Sequence, residues 1–190
     1  MHVLGDSHAT AYLPMFDQLS AETGRTISVY SFPGCPYIDF YRPMHQNRSS
    51  GCDEFTRAIM QRVLDKASEG DLVFLPSLRI YRYGDQWANS GHDVFQKMYN
   101  PDALKLREAA IDEAKQWLQS FVDKKLYIIF EAPKPIFKAP PFRCSDWFNR
   151  HNPICVGDNQ QPRAEMQRLR EPIVTSMYGL THVFPSVSVW

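Results

Sequence analysis

The sequence has no excess of either charge: Lys plus Arg and Asp plus Glu stand at 21 each among 190 residues. That balance excludes a global field steering the protein toward nucleic acid or an anionic membrane, and a neutral or locally recognised ligand is expected. No window approaches the run of about 18 apolar residues that a membrane-spanning helix needs. The opening MHVLGDSHA lacks the basic start and long apolar stretch of a secretory leader. Neither C-x-x-C nor a tight Cys/His cluster occurs, which removes the usual zinc patterns, and no internal repeat or low-complexity segment is visible. What is present, 44% hydrophobic residues in a chain of this length, suffices for one core. A single soluble domain over residues 1–190 is expected. It reads as cut at both ends, because Val3–Leu4 is a strand tail without a lead-in and VFPSVSVW stops in mid-alternation.

Four cysteines form two local pairs, Cys35 with Cys52 and Cys144 with Cys155, each in a stretch rich in Pro, Gly and polar residues. Two loop-stapling disulfides account for this arrangement; four buried free thiols are the alternative. Disulfides imply an oxidising compartment outside the cytoplasm.

TISVYSF at 26–32 is β-branched and aromatic and breaks at Pro33-Gly34, the apolar runs at 71–77 and 125–133 stop at proline as strands buried on both faces do, and 182–190 is a weaker fifth strand. Helical patterns fill the gaps. Ala9, Leu13, Phe16 and Leu19 recur at helical spacing near Pro14, and Phe55, Ile59, Val63 and Ala67 form a second stripe closed by Gly70. Asn100, Pro101 and Asp102 start a third helix whose inner face runs from Leu104 to Phe121. A fourth extends from about Pro162 to Tyr178, with Met166, Leu169, Ile173 and Met177 inward and Pro172 as a kink. The alternation predicts an α/β three-layer, flavodoxin-like fold around a parallel sheet of about five strands. Sites in such folds lie at the carboxyl ends of the strands, where Asp6-Ser7-His8, Pro33-Gly34 and Leu78-Arg79 would share one rim.

GDSHA after the first strand and SFPGCP after the second resemble the SGNH (GDSL-like) hydrolase superfamily. More narrowly, the chain is similar, from Val3 to about Cys155, to the extracytoplasmic SGNH domain fused to membrane-bound acyltransferases that O-acylate surface polysaccharides. The resemblance implies Ser7 as nucleophile, with the backbone N–H groups of Ser7 and Gly34 facing the oxyanion. It implies transfer of an acyl group, acetyl by default, from a membrane acyltransferase domain to a carbohydrate hydroxyl. No metal, cofactor or nucleic acid is expected, and the location implied is periplasmic or extracytoplasmic, tethered to the inner membrane through a fused transmembrane domain. A carbohydrate acetyl esterase and a non-catalytic binding module are the alternatives.

Each residue also has a plainer role open to it. Asp6-Ser7 could be a helix cap, and Gly34 a left-handed turn residue beside a disulfide. The family's third oxyanion donor, an asparagine, has no counterpart in PSLRIYRYGD, so Arg79 is the candidate for an oxyanion or substrate contact, or else an ion-pairing loop residue. Tyr81, Tyr83 and Trp87 in IYRYGDQW suit a sugar ring, or pack the loop. His8 is adjacent to Ser7, and adjacent residues on a turn point in different directions, so it is a poor base for that serine. The family draws its base from Asp-x-x-His, a pattern that occurs nowhere in these residues; His45, His92, His151 and His182 all lie outside such a frame.

Overall fold

Five of the apolar runs pair side by side into one sheet in the computed structural model, which describes residues 1–46, 50–80, 94–137, 144–149, 151–152, 155 and 161–190. The strands are β1 (His2–Gly5), β2 (Ser28–Ser31), β3 (Leu72–Leu75), β4 (Tyr127–Phe130) and β5 (Val187–Val189). Their order is β2-β1-β3-β4-β5 and every pairing is parallel. This is the flavodoxin-like order, with β1 at the switch point where the chain reverses its direction of travel across the sheet.

Helices cover both faces. On one, α1 (Ser7–Thr10) and α2 (Leu13–Thr23) set Ala9 and Phe16 against Val3 and Phe74. On the other, α3 (Cys52–Lys66), α5 (Pro101–Asp123) and α6 (Arg163–Val183) bury Val63, Trp117, Leu118, Phe121, Ile173, Met177 and Leu180 against Leu4, Val73, Leu75, Ile128 and Phe130. A short helix, α4 (Val94–Tyr99), precedes α5. Adjacent residues of β3 and β4 serve opposite faces, which is why both strands read as unbroken apolar runs.

Helix ends follow local chemistry. Asn100 Oδ1 accepts the N–H of Ala103 at 2.8 Å and Pro101 occupies the first turn, as expected. α5 ends on a Schellman pattern, with Lys125 left-handed (φ 58°), its N–H on Val122 O and the Leu126 N–H on Phe121 O. Pro172 lies inside α6 and has no N–H for the carbonyl of Arg168; the hydroxyl of Tyr99 donates to that carbonyl instead, at 3.0 Å.

Three expectations shift. Leu104, expected on the inner face of α5, is exposed in the helix's first turns, while burial begins at Ala110. The stripe through Ala9, Leu13, Phe16 and Leu19 is not one helical face: the chain breaks between α1 and α2, the phase resets, and Leu13 and Leu19 are exposed while Ala9 and Phe16 are buried. The fifth strand is shorter than 182–190, because α6 runs on to Val183 to bury Leu180 and Phe184 before Pro185 ends it.

Both cysteine pairs are disulfides, Cys35–Cys52 and Cys144–Cys155, spanning 17 and 11 residues. The first ties the loop after β2 to the start of α3, and the second closes a turn in the connection from β4 to α6. Among the described residues, no helix is long and apolar enough to cross a membrane.

Candidate active site

β1 ends at Gly5, where the backbone of the neighbouring strand comes close. A Cβ on Gly5 would lie 1.9 Å from the carbonyl oxygen of Pro76, so no side chain fits unless the end of β3 moves. Gly5→Ala is expected to cost about 3 kcal/mol through this backbone clash, read as a lowered midpoint in a denaturant titration.

Past Gly5 the chain turns into α1, and the cap is Asp6. Asp6 Oδ1 accepts the N–H of His8 at 2.8 Å, and Oδ2 accepts the N–H of Leu78 at 2.9 Å. The Asp6 N–H donates to Ser77 Oγ at 3.3 Å, and Ser77 Oγ donates to Pro76 O at 2.6 Å. A single buried carboxylate thus joins the turn after β1 to the loop after β3, 72 residues away. Burial pushes the Asp6 carboxyl up, but the hydrogen bonds from the side chain and backbone of His8 and from Leu78 outweigh it and hold the carboxyl below its ordinary value. The sign follows: Asp6 contributes stability above the ordinary carboxylate range and loses it as pH falls through the lowered folded value. Comparing wild type with Asp6→Asn, we expect a gap of about 2 kcal/mol at neutral pH that closes in acid. A gap constant across pH would contradict the assignment.

With Asp6 as cap, the hydroxyl of Ser7 has no capping duty. Ser7 is the first residue of α1, exposed at the rim, and its carbonyl accepts the Thr10 hydroxyl at 2.6 Å. His8 is tied to the cap: its ring Nδ1 stands 3.4 Å from Asp6 Oδ1.

The turn after β2 lies alongside. Gly5 and Ser31 are register partners, and the pairing continues one step further through Phe32 N–H to Gly5 O at 3.1 Å. Phe32-Pro33-Gly34-Cys35 then forms a type II turn closed by Cys35 N–H to Phe32 O, with Gly34 left-handed at φ 72°. Glycine suits that position on conformational grounds, and the N–H of Gly34 is not the one that closes the turn. Ser7 and Gly34 therefore stand on adjacent strand ends, two and three residues beyond a matched pair.

Arg79 does not reach this rim. It is 2% exposed, and its guanidinium donates to three carbonyls: Nε to Ile38 (3.0 Å), Nη1 to Leu75 (2.7 Å) and Nη2 to Tyr37 (2.8 Å). The expectation of an oxyanion or substrate contact is corrected, because every one of those donors faces inward to bind backbone. Burial lowers its pKa to about 10 against the pull of Asp6, Glu131 and Asp39, so it is charged at neutral pH. Ile38 is held in the left-handed region (φ 67°), costly for a β-branched residue, between two carbonyls that Arg79 grips.

A polar cluster after β4 had no sequence signal. Glu131, buried, accepts from the hydroxyl of Tyr12 and lies 2.9 Å from Lys134 Nζ, which also sits 4.6 Å above the Tyr12 ring. Tyr12 is contributed by α1–α2 and Glu131 by β4, so only the sheet order brings them together. Tyr81, Tyr83 and Trp87 lie outside the described residues. No group of metal-ligating side chains is found among the described residues.

A family model described as "SGNH domain (fused to AT3 domains)" matches residues 1–188. No curated protein and no solved structure matches the chain.

Proposed function

The chain belongs to the SGNH family, in the group described as fused to AT3 domains, and on that premise we propose that it transfers an acyl group, acetyl by default, from a membrane acyltransferase domain to a hydroxyl of a surface polysaccharide. The observation that carries the reading is the pairing of an exposed Ser7, relieved of capping by Asp6, with the Pro33-Gly34 turn on the next strand end. In the step proposed, Ser7 Oγ attacks the acyl carbonyl carbon, a new Oγ–C bond forms, and the hydroxyl proton passes through a base to the departing group as the donor's C–O or C–S bond breaks. The N–H groups of Ser7 and Gly34 would face the oxygen on which charge collects. A sugar hydroxyl then attacks the acyl-serine, its proton returning through the base to Ser7. The base in the family's pattern is the histidine of an Asp-x-x-His. Two disulfides support an extracytoplasmic setting for this chemistry.

Incubation of a form that includes the family's Asp-x-x-His with an activated acetyl ester, followed by peptide mapping, is expected to show one acetyl group on the peptide containing Ser7. Adding oligosaccharide should discharge it to an acetylated sugar. Label confined to lysines would sink the reading, and release of acetate at the same rate without sugar would assign an esterase instead.

A further inference from the structure

The connection from β4 to α6 begins and ends at the carboxyl rim of the sheet and carries the disulfide Cys144–Cys155. Asn149 N–H bonds to Asp146 O, Asn152 N–H to Asn149 O, and Cys155 N–H to Asn152 O, at 3.0, 2.8 and 2.7 Å. Trp147 and Phe148 are the two central residues of the first turn. These positions form the tip, where small and polar residues ordinarily sit. Trp147 is 79% exposed and Phe148 64% exposed, the two most exposed large apolar side chains among the described residues. Phe137, earlier in the same connection, is also exposed. Neither tip residue contributes to any of the hydrophobic clusters, so folding gives no reason for their presence.

Three kinds of occupant would want such a tip, and the structure discriminates among them. A sugar needs a flat aromatic platform in a cleft ringed by polar groups, whereas these rings meet edge to face at 90° on an exposed turn. A stable protein interface buries about 800 Å² on each partner, more than two side chains of about 150–250 Å² supply. A lipid interface suits both the shape and the charge. Trp and Phe favour the headgroup boundary, and from Pro135 to Cys155 the sequence carries Lys138, Arg143 and Arg150 against one acid, Asp146. The balanced total charge conceals this local excess. We propose that the Cys144–Cys155 loop is a membrane-surface anchor that seats Trp147 and Phe148 in the interfacial layer of an anionic phospholipid bilayer. The disulfide and the Asp146–Asn149 turn hold the tip in shape, so little ordering is needed on insertion. The anchor turns the catalytic rim toward the bilayer, and it does not depend on Ser7 being a nucleophile.

The test is co-flotation of the full chain with vesicles of phosphatidylcholine, with and without phosphatidylglycerol. Binding is expected only with the anionic lipid, weakening as salt rises. Trp147→Ala/Phe148→Ala should lower partitioning at least about tenfold while leaving acetyl labelling by the activated ester unchanged. Asp146→Asn, which removes the opposing charge, should tighten it about fivefold. Absence of wild-type binding to anionic vesicles at low salt overturns the proposal, as does binding that the double substitution leaves intact. Loss of oligosaccharide binding in the double variant, with no vesicle binding by the wild type, would reassign the tip to the acceptor.

Discussion

In a form of the protein that includes the family's Asp-x-x-His base, Ser7→Ala is expected to abolish acetyl transfer, with a rate loss of about a thousandfold or more, while the protein's stability changes by less than about 0.5 kcal/mol. The separation of the two effects is the informative part. Ser7 is exposed at the first position of α1, and the capping acceptor for that helix is the Asp6 carboxylate, not the serine hydroxyl. Removing one oxygen therefore leaves the cap, the Leu78 anchor and the Thr10 contact to the Ser7 carbonyl in place. Had Ser7 been the cap, alanine would cost about 1 kcal/mol in stability. Measuring transfer to oligosaccharide beside a thermal melt distinguishes the outcomes: full activity in the alanine variant would remove Ser7 from the chemistry.

Arg79→Ala should produce the largest loss of stability of any single change considered, about 4 kcal/mol or more, because three buried carbonyls lose their donors together. The guanidinium is also the positive charge facing Asp6, Glu131 and Asp39, and it lies 5.3 Å from the Phe130 ring centre. Without it those acids lose a buried positive charge in a low-dielectric interior. Arg79→Lys should recover only a small part, since a single ammonium cannot reproduce a planar fork that meets Ile38, Leu75 and Tyr37 at once. A chemical denaturation series on the three proteins checks this. A shift under about 1 kcal/mol for alanine would show that the carbonyls find other partners. Activity would fall as well, because the strained backbone at Ile38 that Arg79 restrains continues from the turn bearing Gly34.

Arg79 also marks where reading the residues in order goes astray. In PSLRIYRYGD it looks like a loop arginine free to meet a ligand, and nothing within several residues says that its side chain turns inward. The carbonyls it binds include those of Tyr37 and Ile38, 42 and 41 residues away, on a loop that reaches it only after β1, β2 and β3 have assembled. The Asp6–Leu78 bond and the Tyr12–Glu131–Lys134 cluster were illegible for the same reason. By contrast, the start of α5 was legible because Asn100, Pro101 and Asp102 act on backbone groups within one turn. The disulfides were legible because each joins cysteines close in sequence. The stripe through Leu13 and Leu19 failed where a two-residue interruption between α1 and α2 reset the helical phase.

By itself the sequence determined the alternation of strands and helices, the parallel sheet, and the arrival of Asp6-Ser7 and Pro33-Gly34 at strand ends. Those follow from periodicity, proline and glycine, which act over a few residues. Only the tertiary structure decided that Asp6 is the cap and Ser7 is spared, that Arg79 is an internal clamp, and that Trp147 and Phe148 crown a stapled turn in solvent. Burial and long-range hydrogen bonds are properties of segments that meet across the sheet, so no local pattern contains them.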